Sequence, residues 1–219
     1  MKSQHCNPIA GTNPVATHTP PGLIVELQSI LAPLEPAALF PNRQPIEVEL
    51  GCGDASFLAQ YAALHPERNF IGVERLLGRL RKLDRKGRRA GLTNLRGVRI
   101  ESSYFLKYLL PPQSVAALHL YFPDPWPKRK HWKKRLVNEH FPEIARCALA
   151  PAGTLYLRTD DQNYFEQMRE VFAAHPTFQP ADTPAELVGL LTDFEREFQK
   201  RGIPTLRAAY RSGSHPGSS

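Results

Sequence analysis

The chain has 219 residues, a net charge of +7 and 28 Lys and Arg against 21 Asp and Glu. That length supports one large domain with a real core and falls short of two, and the basic balance points to a polyanionic partner. The longest apolar run, residues 115–122, is too short for a membrane span, the polar N-terminus has no apolar signal core, and neither the three cysteines nor the eight histidines show metal-ligand spacing, so the expectations are no membrane, no metal, free thiols and a cytoplasmic location.

In chain order, residues 1–22 are rich in Pro, Thr, Asn and His without periodicity and read as a disordered arm. Residues 23–40 carry apolar positions at helical spacing, interrupted by Pro33 and Pro36, and predict one or two lead-in helices. Residues 46–50 predict a buried strand ending in Gly51-Cys52-Gly53, followed by a helix with Asp54 as its N-cap. Further strands are predicted at 69–73, 95–100, 115–121, 153–158, near Phe178 and at 205–210. Helices are predicted after Glu74, over 131–148, over 164–174 and from Thr192 to Arg201. The tail 212–219 is Gly/Ser-rich and reads as disordered, leaving 23–211 as one domain. Strands alternating with helices predict an α/β, mostly parallel seven-stranded sheet with crossover helices. Glu49, Gly51, Glu74, Glu101, Asp124 and Asp160 then fall at or just after strand ends, where such sheets bind ligands.

The Gly51-x-Gly53 turn has Ser56 where a dinucleotide fingerprint wants a third glycine, which disfavours a dehydrogenase; a tight turn with no ligand is the bland alternative. A pyrophosphate there would sit close to Glu49, whereas a cationic ligand would suit it. S-adenosylmethionine has a sulfonium, an α-ammonium and a ribose diol and no phosphate. Glu74 is placed to accept from the diol, and Glu101 could meet the adenine amino group.

Asp124 stands between Pro123 and Pro125, directly after a predicted strand and before Trp126. The prolines restrict both their own φ and the preceding residue, so this carboxylate is held on a stiff turn. Six Lys and Arg follow between Lys128 and Arg135, and eight more lie between Arg75 and Arg89. Charge of nearly one sign, with Trp126 and Trp132 nearby, suits RNA phosphates and stacked bases.

Glu49-x-Gly51-x-Gly53, Ile71-Gly72-Val73-Glu74, the 122–129 segment Phe-Pro-Asp-Pro-Trp-Pro-Lys-Arg, Thr159-Asp160 and Thr192-Asp193-Phe194-Glu195 together resemble the bacterial tRNA (guanine-N7-)-methyltransferases, in order and spacing, over about 46–211. The resemblance implies a Rossmann-like class I methyltransferase fold, S-adenosyl-L-methionine as donor and methylation of N7 of a guanine in the tRNA variable loop, by a monomer or homodimer. It implies Glu49, Gly51, Glu74, Glu101 and Asp124 as cofactor residues, with Asp124 also the catalytic-site carboxylate. Lys128, Asp160, Thr192, Asp193, Phe194 and Glu195 are implied as substrate contacts. The chain departs from the family's usual Asp at Glu101 and from a frequent glycine at Ala55. An exocyclic-amine RNA methyltransferase and a non-catalytic RNA-binding protein on the same scaffold are the competing readings.

Overall fold

The structure is a computed structural model and describes residues 22–213. The expected N-terminal arm and C-terminal tail lie outside the described residues, save for Gly22, Ser212 and Gly213. Eight strands form one sheet: β1 (Ile24–Val25), β2 (Ile46–Leu50), β3 (Asn69–Val73), β4 (Leu95–Val98), β5 (Val115–Tyr121), β6 (Leu149–Thr159), β7 (Phe178–Ala181) and β8 (Leu206–Ser212). Their spatial order is β1-β4-β3-β2-β5-β6-β8-β7, and only β8 runs against its neighbours. All seven expected strands are present; the eighth, β1, adds to the edge of β4.

Helices cover both faces. On one face Phe141 and Ala145 of α4 (Phe141–Ala148) and Tyr164, Met168 and Phe172 of α5 (Gln162–Ala173) pack with Val48, Leu118, Leu120, Leu155 and Leu157. On the other, Leu58 and Tyr61 of α1 (Leu58–Leu64) and Leu80 and Leu83 of α2 (Leu77–Arg89) pack with Phe57, Phe70 and Tyr121. Gly72 of β3 permits the second packing. A Cβ there would come within 2.7 Å of Cys52 Sγ and 2.8 Å of Leu83 Cδ1.

Ile46-Glu47-Val48-Glu49-Leu50 carries two acidic residues and, as expected, all five residues are buried. Of its two buried acids, Glu47 is paired. Its carboxylate meets His119 Nε2 at 2.7 Å and Arg68 Nη1 at 2.8 Å, and His119 Nδ1 meets the Tyr121 hydroxyl at 2.8 Å. Burial raises the Glu47 pKa, but its contacts with His119 and Arg68 outweigh it and hold the carboxyl below its usual range.

Three local expectations change. Residues 23–40 hold no α-helix: β1 and a 3₁₀ turn, Pro36–Leu39, occupy them, since edge pairing recruits Ile24 and Val25 and the prolines break helical bonding. Asp54 is not an N-cap. Its carboxylate accepts from the Ser56 N–H at 3.2 Å and pairs with Lys86 at 2.8 Å, and the helix begins only at Leu58. The predicted 131–148 helix is a 3₁₀ helix, Arg129–Lys134, then a separate α4 with Pro142 in its first turn. Cys52 is a free buried thiol.

Candidate active site

The strand order reverses between β2 and β5, the place where open α/β sheets leave a ligand crevice. A cavity of about 480 Å³ opens there, lined by Leu50 at the end of β2 and Gly51 after it, Glu74 and Arg79 after β3, Glu101 after β4, and Asp124 after β5. Four of the six predicted rim residues therefore converge. Glu49 stands one residue behind the lining, and Asp160 is exposed at the end of β6, outside it.

Gly51 has φ 74° and Gly53 φ 56°, left-handed values that a side chain would strain. This conformation turns the Gly51 and Cys52 N–H groups toward Val73 O, at 2.8 and 2.9 Å, and carries the chain off β2 without blocking the cleft. Ala55 has φ 56° while fully buried, so it takes up a conformation that suits glycine better. The turn is also held from outside. The Asp193 N–H donates to Ser56 Oγ at 3.0 Å, and Lys86, already paired with Asp54, lies 3.9 Å from Asp193.

Each carboxylate has a distinct setting. Glu74 is buried, accepts from the Leu76 N–H at 2.8 Å and has Arg79 at 3.6 Å. Glu101 accepts from the N–H groups of Ser103 and Tyr104, at 2.9 and 2.8 Å, capping the short helix α3 (Ser102–Tyr104). Both its oxygens are thus engaged, although the side chain still borders the cavity. Glu49 is 3% exposed and its Oε2 has no hydrogen-bond partner among the described residues. Burial drives its pKa up to about 8; Arg158 opposes the rise, while Asp54 and Glu74 add to it.

Asp124 is exposed in a loop whose two ends are both strained. Phe122 has φ 52° and Trp126 φ 46°, and bulky residues take such values only where the surroundings hold them there. Pro123 and Pro125 stiffen the interval between them, as expected, and the bracketing pair sets its direction. The basic run then folds back. Lys134 lines the cavity and lies 4.7 Å over the Trp126 ring, while Lys128 is exposed away from the cavity lining. The family resemblance implies Lys128 as a substrate contact; the 3₁₀ turn that returns Lys134 to the cleft has no periodic signal. Arg135, counted among the RNA-facing cations, is instead 1% exposed.

The Thr192–Glu195 motif divides into two outward and two inward residues. Asp193 and Phe194 of α7 (Asp193–Lys200) are exposed, and Phe194 lies 6.2 Å from the Phe122 ring. Thr192 and Glu195 form a capping box: the Glu195 N–H donates to Thr192 Oγ1 at 3.0 Å and the Thr192 N–H to Glu195 Oε2 at 2.9 Å. Glu195 is completely buried against Arg158 at 2.8 Å and Arg207 at 2.7 Å. In this structure its carboxylate faces the protein and offers no surface to a substrate.

Residues 43–208 match the family model described as "Putative methyltransferase". The tRNA (guanine-N(7)-)-methyltransferase of Chromohalobacter salexigens is 42% identical over 67% of this chain and 60% of its own length. That of Alkalilimnicola ehrlichii is 33% identical over 84% of this chain and 80% of its own. The chain thus spans about three fifths of the former relative and four fifths of the latter. In fold it is similar to the crystal structure of the 16S rRNA methyltransferase KamB, with a TM-score of 0.57, 16% identity, and coverage of 78% of this chain and 89% of that one. With the cleft at the β2/β5 reversal and a family match over three quarters of its length, the chain belongs to the tRNA (guanine-N7-)-methyltransferase family.

Proposed function

We propose that the protein transfers a methyl group from S-adenosyl-L-methionine to N7 of a guanine in the variable loop of tRNA, as a single-domain enzyme of the cytoplasm, monomeric or homodimeric. Among the described residues no helix is long and apolar enough to cross a membrane. The observation that carries the reading is the grouping of Gly51, Glu74, Glu101 and Asp124 on one cavity, with the unpartnered Glu49 Oε2 behind it. A buried carboxyl without a partner fits a ligand that brings a cation, and an acidic wall fits one without phosphate.

When bound, the donor supplies an electrophilic methyl group. Glu49 would meet its ammonium, Gly51 would leave room for it and Glu74 would accept from its ribose hydroxyls. Glu101, capping its own helix, keeps spare lone pairs for the adenine amino group. Guanine N7 presents a lone pair and no proton, so no residue is required to act as a base, and catalysis falls to positioning and electrostatics. Asp124 accepts hydrogen bonds from the guanine edge and offsets the positive charge that develops on the ring. Phe194 and Asp193 on one side, and Lys128 and Asp160 on the other, meet the RNA. Thr192 and Glu195 hold α7 in place. Transfer of labelled methyl from the donor to unmodified bulk tRNA, followed by nucleoside analysis, tests the reading: 7-methylguanosine is expected, and a methyl on an exocyclic amine would overturn it.

Two outcomes follow from single residues. A cation beside Glu49 favours the ionised carboxyl, so the liganded state has the lower pKa and holds fewer protons. Affinity for S-adenosylhomocysteine, which keeps the ammonium, is therefore expected to rise with pH by up to about tenfold per unit below pH 8 and then level off. Calorimetry at pH 7 in buffers of different ionisation enthalpy should register release of up to about one proton, and Glu49→Gln should abolish it. No release from the unaltered protein would remove Glu49 from the ammonium site. Lys128→Ala should raise the tRNA KM and reduce the slope of log KM against log salt by about one, with kcat little changed; an unaltered salt slope would place Lys128 away from phosphate.

A further inference from the structure

Arg135 is the last residue of the basic run, yet it behaves unlike the others. Its guanidinium is 1% exposed and lies between two aromatic rings, 4.7 Å from the centre of Trp132 and 4.6 Å from that of Tyr164. Its three nitrogens each make one hydrogen bond. Nε donates to Pro125 O at 2.7 Å, Nη1 to Gln167 Oε1 at 2.6 Å, and Nη2 to Asn163 Oδ1 at 2.9 Å. All three acceptors are uncharged, and among the described residues no carboxylate lies within ion-pair distance of it. A buried cation without a counter-charge is expensive to keep. Nothing in phosphate binding calls for that arrangement, because an RNA-gripping arginine needs its fork exposed.

The acceptor on the loop side explains the cost. Pro125 is the residue after Asp124, and within 123–127 its carbonyl is the one polar group that the described residues engage in a hydrogen bond. The loop is bracketed by strained Phe122 and Trp126, so it needs an external tie to stay in one conformation. The prolines restrict φ locally but cannot attach the loop to the body of the protein. Arg135 does so: Gln167 and Asn163 belong to α5, which packs on the sheet through Tyr164, Met168 and Phe172. The Tyr164 hydroxyl completes the frame by accepting from the Val137 N–H at 2.9 Å, which holds the segment just after Arg135.

We propose that Arg135 is the positioning residue of the Asp124 loop, clamping Pro125 O to α5 so that the Asp124 carboxylate is presented in one place, and that it makes no contact with tRNA. The proposal rests on the reading of Asp124 as the reactive-site carboxylate. Lysine keeps the charge but cannot donate in three fixed in-plane directions or fill the slot between two rings. Arg135→Lys is therefore expected to lower kcat by about tenfold or more while the tRNA KM stays within about twofold and its salt slope is unchanged. In an Asp124→Ala background, single-turnover rates with labelled donor should show no further loss from Arg135→Lys, because there is no carboxylate left to position.

A raised KM with a shallower salt slope in Arg135→Lys would make the residue an RNA contact and overturn the proposal. So would an equal loss in both backgrounds. If Asp124→Ala alone turns over normally, the reading of Asp124 fails instead, and the two failures are distinguishable. Should Arg135→Lys not fold, Asn163→Ala combined with Gln167→Ala releases the guanidinium from α5 while keeping Arg135. That pair should lower kcat about threefold or more at constant KM, and an unchanged kcat would refute the clamp.

Discussion

Asp124→Ala is expected to lower kcat by about 100- to 1,000-fold while the affinity for S-adenosylhomocysteine changes by less than about threefold. The asymmetry follows from where Asp124 lies. It borders the cavity at the end of β5 and is exposed, so before substrate binds its charge is screened by water. Its value is realised only when a base enters, water leaves and positive charge grows on the ring. A unit charge at about 4 Å in a medium of effective dielectric near 20 is worth about 4 kcal/mol, which sets the upper end of the expected loss. On the proposed reading the cofactor is held by Glu49, Glu74 and the Gly51 turn, so it would keep its principal contacts. Asp124→Asn sharpens the test. It keeps the shape and one acceptor oxygen but removes the charge, so a loss close to that of alanine assigns the effect to electrostatics, and a much smaller one assigns it to hydrogen-bond geometry. Near-normal turnover in Asp124→Ala would end its candidacy.

Much of this site was legible in the chain because it is built from strand ends. β2, β3 and β5 were delimited by strand-like segments at 46–50, 69–73 and 115–121, and those boundaries placed Gly51, Glu74 and Asp124 at one rim. What escaped notice depends on folding back over a distance. β1 is two residues long and exists only because β4 offers an edge. α6 (Ala185–Gly189) is five residues and leaves one buried side chain, Leu187, too little to show a period. Lys134 and Arg135 stood in a run of like residues, and nothing local marks one for the cleft and the other for the interior. Only the 3₁₀ turn and the polar face of α5 separate them. The Thr192-x-x-Glu195 spacing did carry a local signal, that of a capping box, yet the resemblance made it a substrate motif. The structure gives Glu195 a structural position first.

Glu195→Ala is accordingly expected to destabilise the fold by about 3–5 kcal/mol. The carboxylate is wholly buried between Arg158, itself 1% exposed, and Arg207, and it also takes the Thr192 N–H. Removing it strands a buried guanidinium whose other contacts are the carbonyls of Leu190 and Leu187 and the rings of Tyr121 and Phe57. Those groups soften the loss but carry no charge. At about 2–4 °C per kcal/mol for a chain of this size, Tm should fall by roughly 6–20 °C, as thermal unfolding followed by circular dichroism would register. Replacing both partners, Glu195→Leu with Arg158→Met, should recover part of the loss because the wholly buried guanidinium goes with its carboxylate, though Arg207 would lose its partner and the carbonyls of Leu187 and Leu190 their donor. A Tm within about 2 °C of the parent for Glu195→Ala would show that water reaches Arg158 and that the pair is not structural. If instead stability falls as expected while kcat per folded molecule stays within about threefold, then Glu195 sustains the enzyme only by holding α7 against the Gly51 turn. The recognition of tRNA at this end of the sheet would then pass to the two outward residues, Asp193 and Phe194.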